Sequence, residues 1–190
     1  MTEQPNLQQF VDHLSSYSDD TAQGAGTAPG ASAGLPAVGT VLEIAGSGSR
    51  VAMDPVQLHA LLDHKDPALA MSGQVGSQVK MKVANNWLIA NVRTLRAGSG
   101  DDDKAVIANV DFLGEGQNAS GGRMVNFRRG VTRYPIPGSP VYPVTTEDLR
   151  SVFAADDSPH IEIGTVYPTD DIRGALYVDP MLSKHFAVLG

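Results

Sequence analysis

The sequence predicts a mainly β protein: a small closed β-barrel with short helices, followed by the first strand of an incomplete α/β core. Three observations carry this. Between residues 39 and 133 the apolar period is close to 2, in short runs separated by glycine or asparagine turns. A strand series of that kind tends to close on itself, because closure removes exposed edges. Finally, Phe186, Ala187, Val188 and Leu189 form an apolar run without polar alternation, the pattern of a strand covered on both faces in a parallel sheet.

The elements follow in order. Leu7, Phe10, Val11, Leu14 and Tyr17 recur at helical spacing behind Pro5, so residues 1–21 read as a short amphipathic helix with its tail. Residues 22–38 are built almost wholly from Ala, Gly, Pro, Ser and Thr, a composition that loses more backbone entropy on ordering than burial returns, hence a linker. A helix of about three turns is marginal alone. Its stripe therefore has three places to dock: the body of the protein, a neighbouring subunit or a partner. The barrel spans 39–155. Short strands at 40–44 and 50–53 flank the turn Gly46-Ser47-Gly48, and Asp54 caps a helix over 55–64 with Pro55 at its first position. In 78–83, Val79, Met81 and Val83 share one face, with Gln78, Lys80 and Lys82 on the other. Asn85-Asn86 supplies a turn, and 87–96 returns with Leu88, Ala90 and Val92 inward. Strands follow at 105–113, carrying Val106, Ala108, Val110 and Phe112, and at 123–133, carrying Val125, Phe127 and Val131. Thr146 caps a helix over 147–153 with acids in its first turn. The remaining unit, 156–190, holds strands at 161–167 and 175–178 and the apolar run.

Composition narrows the function classes. Fourteen Lys plus Arg against 21 Asp plus Glu give a net charge of −7. No global basic field therefore exists to attract nucleic acid or an anionic membrane. Residues 1–38 carry −4 of this with no Lys or Arg, leaving −3 for the rest. The absence of cysteine removes disulfides, thiol nucleophiles and Cys-ligated metal sites. No apolar stretch approaches the roughly 18 residues of a membrane span, and the first ten residues lack a signal peptide's basic and apolar regions, so a cytoplasmic protein without membrane contact is expected.

Few motifs carry chemistry. The stretch 116–146 holds no acid but contains Arg123, Arg128, Arg129 and Arg133, a local positive strip able to contact phosphates or the carboxylates of a partner. Read blandly, these are solvated strand arginines. Asp101-Asp102-Asp103 lacks the spaced ligands of a calcium loop and reads as a solvated loop. His160 with Asp170-Asp171 lacks a second histidine at ligand spacing and reads as a turn. Asn118-Ala119-Ser120 is a glycosylation sequon only in a secreted chain. No metal site and no catalytic set is expected. At the end, a buried strand running into Gly190 is how a phosphate-binding loop begins, since its first glycine lets the chain leave the strand and wrap phosphate with backbone N–H groups; with only that one glycine of the signature present, the residues read equally as an ordinary strand ending in glycine.

The spaced series from Arg129-Gly130-Val131-Thr132-Arg133-Tyr134-Pro135 through Ile163-Gly164-Thr165-Val166 and Ala175-Leu176-Tyr177-Val178-Asp179 to Lys184-His185-Phe186-Ala187-Val188-Leu189-Gly190 resembles HerA-type ATPases, hexameric DNA translocases of the FtsK/HerA class. The resemblance covers roughly 39–190. It implies that 39–155 is the family's N-terminal barrel, the HAS-barrel. It also implies that 156–190 begins the P-loop ATPase core, with Gly190 the first, cofactor-binding glycine of an incomplete Walker A loop. The family uses ATP and Mg, assembles as a homo-oligomeric ring, docks a nuclease or other effector in DNA end processing or phage defence, and moves DNA through its full-length motor. The Walker A lysine and hydroxyl, the Walker B acid and the arginine finger have no counterpart in these 190 residues. The chain alone is therefore expected to have no cofactor and no ATPase activity. The rival expectation is a stand-alone barrel enzyme or ligand-binding protein with a pocket at the barrel mouth.

Overall fold

The computed structural model describes residues 34–98 and 106–183. The amphipathic stripe of 7–17, most of the linker, the Asp101-Asp102-Asp103 loop, the 186–189 run and Gly190 lie outside the described residues. Within them the protein is mainly β. In chain order the elements are β1 (Gly39–Ala45), β2 (Gly48–Met53), α1 (Pro55–Leu61), α2 (Pro67–Ala70), β3 (Gln78–Val83), β4 (Asn86–Ala97), β5 (Val106–Asn118), β6 (Met124–Arg129), β7 (Pro140–Pro143), α3 (Thr146–Phe153), β8 (His160–Thr165), β9 (Arg173–Tyr177) and α4 (Val178–Leu182).

Strand pairing runs β2-β1-β7-β3-β4-β5, and β5 pairs back onto β2, so six antiparallel strands close a barrel. Closure depends on the length of β5. Its first half, Val106 to Asp111, pairs with β2 while its second half, Gly114 to Asn118, carries β6 as a flap on the same edge. Two small residues permit these close approaches. A Cβ on Gly48 would fall 2.6 Å from the Val110 carbonyl oxygen, and one on Gly114 would collide with the Arg128 carbonyl oxygen and the Phe127 ring. The interior is apolar: Val41, Val51, Met53, Val79, Met81, Leu88, Ala90, Val92, Ala108, Val110 and Val141 pack into one cluster that fills it. Alternation identified the inward faces of β3, β4 and β5 correctly, since one face of each strand meets only the lumen.

The outer face is covered on one side. α3 lies over Trp87, Ile89 and Met124, and Leu149 and Ile172 complete a second cluster with Ala68 and Val144. The structure corrects several expectations. Lys80, placed by alternation on a solvated face, is 1% exposed, because the outward side of β3 at that point is roofed by α3. The cap of α3 is Thr145, which receives Asp148 N–H while its own N–H goes to the Asp148 carboxylate; Thr146 is already helical and donates its hydroxyl to Asp66 instead. And α1 stops at Leu61, with Asp54 accepting from Val56 and Gln57 N–H as expected. In the β3–β4 turn the left-handed residue is Ala84, at φ 52, rather than an asparagine.

After α3 the chain forms an antiparallel hairpin, β8 with β9, that belongs to a separate two-stranded sheet. Every residue of β8 is exposed, including Ile161 and Ile163. Among the described residues the hairpin is anchored through its connector, by buried Ile172 and Thr169 and an ion pair from Arg150 of α3 to Asp171. No helix among the described residues is long and apolar enough to cross a membrane.

Candidate interaction surface

The four sequence-predicted arginines lie along one short segment. Arg123 follows the 3-10 turn Ser120–Gly122, Arg128 and Arg129 end β6, and Arg133 sits in the loop leading to β7. All four are exposed, and none takes part in an ion pair among the described residues. β5 positions them. Arg128 stands opposite Glu115 and Arg129 opposite Gly114, at the place where Gly114 and Gly116 let β6 approach. Glu115 is 5% exposed and does not neutralise the strip by direct contact: its carboxylate accepts the Thr132 hydroxyl at 2.8 Å and the Thr132 N–H at 3.3 Å. A polar cleft of about 350 Å³ opens beside Arg128, lined also by Asn86, Glu115, Gln117 and Asn126. Tyr134 and Ile136, in the loop that follows, are 49% and 72% exposed. The arrangement offers free guanidinium groups beside exposed apolar side chains, suited to carboxylates or phosphates presented on a partly apolar partner.

The other candidates are not brought together. Asp171 is engaged by Arg150, whose guanidinium is held above its ordinary value by Asp171 and then Glu147, while the His160 ring packs edge-on to Tyr177 at 6.1 Å. Among the described residues no three His, Asp or Glu side chains gather where a metal would need them. Asn118 of the sequon spends its side-chain oxygen on the Trp87 indole N–H at 3.0 Å.

What sequence reasoning missed is a buried charge pair. Lys80 Nζ lies 2.6 Å from Asp148 Oδ2, with both side chains at most 2% exposed, and the same oxygen accepts the Thr145 N–H and hydroxyl. The ammonium also sits 4.7 Å from the centre of the Trp87 ring, which meets Tyr142 edge-on. Burial pushes Lys80 below the ordinary lysine range; the Asp148 carboxylate opposes that shift through its charge and hydrogen bond. Thr145-x-x-Asp148 is a capping signature and could have located the acid, but nothing local marks Lys80. Beside this pair a cleft of about 170 Å³ is lined by Ala68, Met71, Val75, Val144, Leu149 and Tyr167. No protein-family model matches this chain, and no curated protein matches it in sequence.

Proposed function

We propose that the barrel is the N-terminal collar of a HerA-like ring ATPase, fixing subunit orientation and presenting the Arg123–Arg133 strip as a docking rim for a nuclease or other effector. The observation that supports this reading is the order of units. A closed six-stranded barrel is followed, where the resemblance puts the beginning of the motor, by a hairpin whose Ile161, Ile163 and Leu176 are exposed on a two-stranded sheet. A sheet of that size is marginal without a further layer, and a motor core would supply one. In a ring motor the active sites lie between neighbouring subunits, so a rigid collar assists the chemistry without performing it. The barrel interior favours a collar over a ligand-binding barrel, because side chains fill it. ATP and Mg would be held by the motor, whose first Walker A glycine corresponds to Gly190.

Native mass spectrometry of the chain tests the collar. Ring-sized oligomers at micromolar concentration are expected. A strict monomer that binds a small ligand stoichiometrically would favour the stand-alone barrel. DNA contact by the strip is the competing role. Arg128→Gln/Arg129→Gln would then lower the salt slope of DNA affinity by about 0.9 per lost phosphate contact, whereas a protein-facing rim leaves DNA binding negligible.

A further inference from the structure

We propose that the polar cleft between β5 and β6 is a binding site for a free α-amino acid, which places its ammonium on Glu115 and its carboxylate on Arg128. The inference goes beyond the ring-motor reading and does not rest on it.

The site lies past the closed part of the barrel. β5 pairs with β2 only as far as Asp111, and its continuation pairs with β6. Directly opposite residues of antiparallel strands share a face. Leu88, which lines the lumen, stands opposite Glu115, Glu115 stands opposite Arg128, and Asn86 stands opposite Gln117. The face that is apolar along Val92, Ala90 and Leu88 thus turns polar at one end, where these four side chains line the cleft of about 350 Å³. A β-bulge adds a fifth. Between the pairs Glu115–Arg128 and Gln117–Val125, two residues of β6 face Gly116 alone. Asn126 takes φ 54 there, and its Nδ2 donates to Gln117 Oε1 at 3.0 Å, so the bulge turns it onto the same face.

The charges are the informative part. A carboxylate that is 5% exposed ordinarily has a cation beside it, because an unpaired buried charge is costly. Glu115 has no ion-pair partner among the described residues; the Thr132 hydroxyl reaches one of its oxygens and the Thr132 N–H the other. Each oxygen keeps room for a further donor. Arg128, in the position from which cross-strand ion pairs form, makes none either. An acid and a guanidinium are therefore held on one face without closing on each other, and both line the same cleft.

A ligand that satisfies both brings a cationic donor and an anionic acceptor close together. An α-amino acid carries the two on one carbon: Arg128 can take its carboxylate bidentately while Glu115 accepts from its ammonium. A phosphate offers no cation to Glu115, and a lysine or arginine side chain offers no anion to Arg128. A nucleobase has adjacent donors and acceptors but binds best against an aromatic face. Phe127, the aromatic side chain at the cleft, is packed against the outer cluster around Trp87 and Met124. The carboxamides of Asn86, Gln117 and Asn126 both donate and accept, which favours an amino acid with an uncharged polar side chain.

Titration of the full-length, ¹⁵N-labelled chain with L-glutamine, L-asparagine and L-serine, followed by amide chemical shifts, tests the assignment. At least one of them should give saturable shifts confined to residues 86, 115–117 and 126–132, with a Kd below about 1 mM. The N-acetyl derivative of that amino acid lacks the ammonium, and its α-amide lacks the carboxylate. Each should bind at least about tenfold more weakly, the weight of one charge-assisted hydrogen bond. Arg128→Gln should weaken the amino acid by a similar factor and leave the α-amide unchanged, whereas Arg129→Gln, opposite Gly114 on the other face, should change neither. Because Glu115→Gln can disturb the Thr132 contact, the blocked derivatives on the unaltered protein test the ammonium side instead. No saturable shift up to about 10 mM, shifts centred elsewhere, equal binding of the blocked derivatives, or an unchanged affinity in Arg128→Gln would overturn the assignment. So would tighter binding of guanosine monophosphate than of any amino acid, because the cleft would then read a base edge. None of these outcomes alters the oligomer measurement above, so the two readings fail separately.

Discussion

The barrel interior and the α3 flank are two sides of the same strands, yet one encloses a cluster of apolar side chains while the other encloses Lys80, Asp148 and Thr145. Inside, each residue is held by shape and by exclusion of water, and neighbours can adjust to a lost methyl group. On the flank, the attachment of α3 is concentrated in one carboxylate. Asp148 Oδ2 receives Lys80, the Thr145 N–H and the Thr145 hydroxyl, so helix cap, charge neutralisation and strand contact converge on a single atom. A buried ion pair of this kind gives little net stability against an apolar replacement, but removing one partner is costly because the other charge stays buried. The interior should therefore fail gradually under substitution and the flank abruptly.

The largest effect is expected from Asp148→Asn. It keeps an acceptor for Thr145 but strands the Lys80 ammonium, and a loss of about 3 to 5 kcal/mol in urea denaturation is expected. Adding Lys80→Met to that variant should recover most of the loss, since a side chain of similar length then packs against Trp87 without charge. A double mutant no more stable than Asp148→Asn would break the comparison. Met81→Ala, on the interior side of the same strand, should cost about 2 to 5 kcal/mol through a cavity. No second-site charge change should rescue it.

The two sides also differ in pH response. Because Lys80 has a folded-state value below its unfolded value, the unfolded chain binds more protons between the two. Stability from this group therefore rises with pH across the window from the lowered value up to about 10.4, and is flat below it. Lys80→Met should remove that alkaline rise, while Met81→Ala should keep it; parallel urea melts from neutral pH upward decide.

How far the sequence reads correctly depends on the same difference. Val79, Met81, Leu88, Ala90, Val92, Ala108 and Val110 alternate because the lumen takes one face only, so the barrel and its inward set were legible. Lys80 was misplaced because alternation reports which face is apolar and says nothing of a helix, remote in sequence, that roofs the polar face. Thr146 reads as the cap because it precedes Glu147, yet Asp66, eighty residues away, occupies its hydroxyl at 2.6 Å. Ala84 carries the positive φ that asparagine was expected to take. The arginine strip is legible as a run free of acids, but the close approach of β6 that positions it depends on Gly114 and Gly116, which the alternation does not mark.

Smaller changes probe the edges of the flank. Asp66 accepts from Ala68 N–H as the cap of α2 and from the Thr146 N–H and hydroxyl, joining two helices with no ion-pair partner among the described residues. Asp66→Ala should cost about 0.5 to 2 kcal/mol, the range of a lost cap, and its effect should add to that of Met81→Ala but not to that of Asp148→Asn. Ala84→Gly should act in the other direction, because a left-handed alanine is strained by about 1 kcal/mol and glycine is not.

The smallest effect should come from the surface that the proposed function uses most. Arg128 and Arg129 are exposed, and neither forms an ion pair among the described residues, so their guanidinium groups contribute almost nothing to holding β6 in place. That task falls to the β5 pairing, to the close approach at Gly114, and to buried Met124, whose carbonyl accepts the Ser151 hydroxyl of α3. Arg128→Gln/Arg129→Gln should therefore change stability by no more than about 0.5 kcal/mol, whereas Gly114→Ala, with no room for its Cβ beside the Arg128 carbonyl, should displace β6 and cost well above that. If the arginine pair proved as costly as the glycine, the strip would be part of the scaffold, and an interaction rim separable from the barrel that carries it could not be maintained.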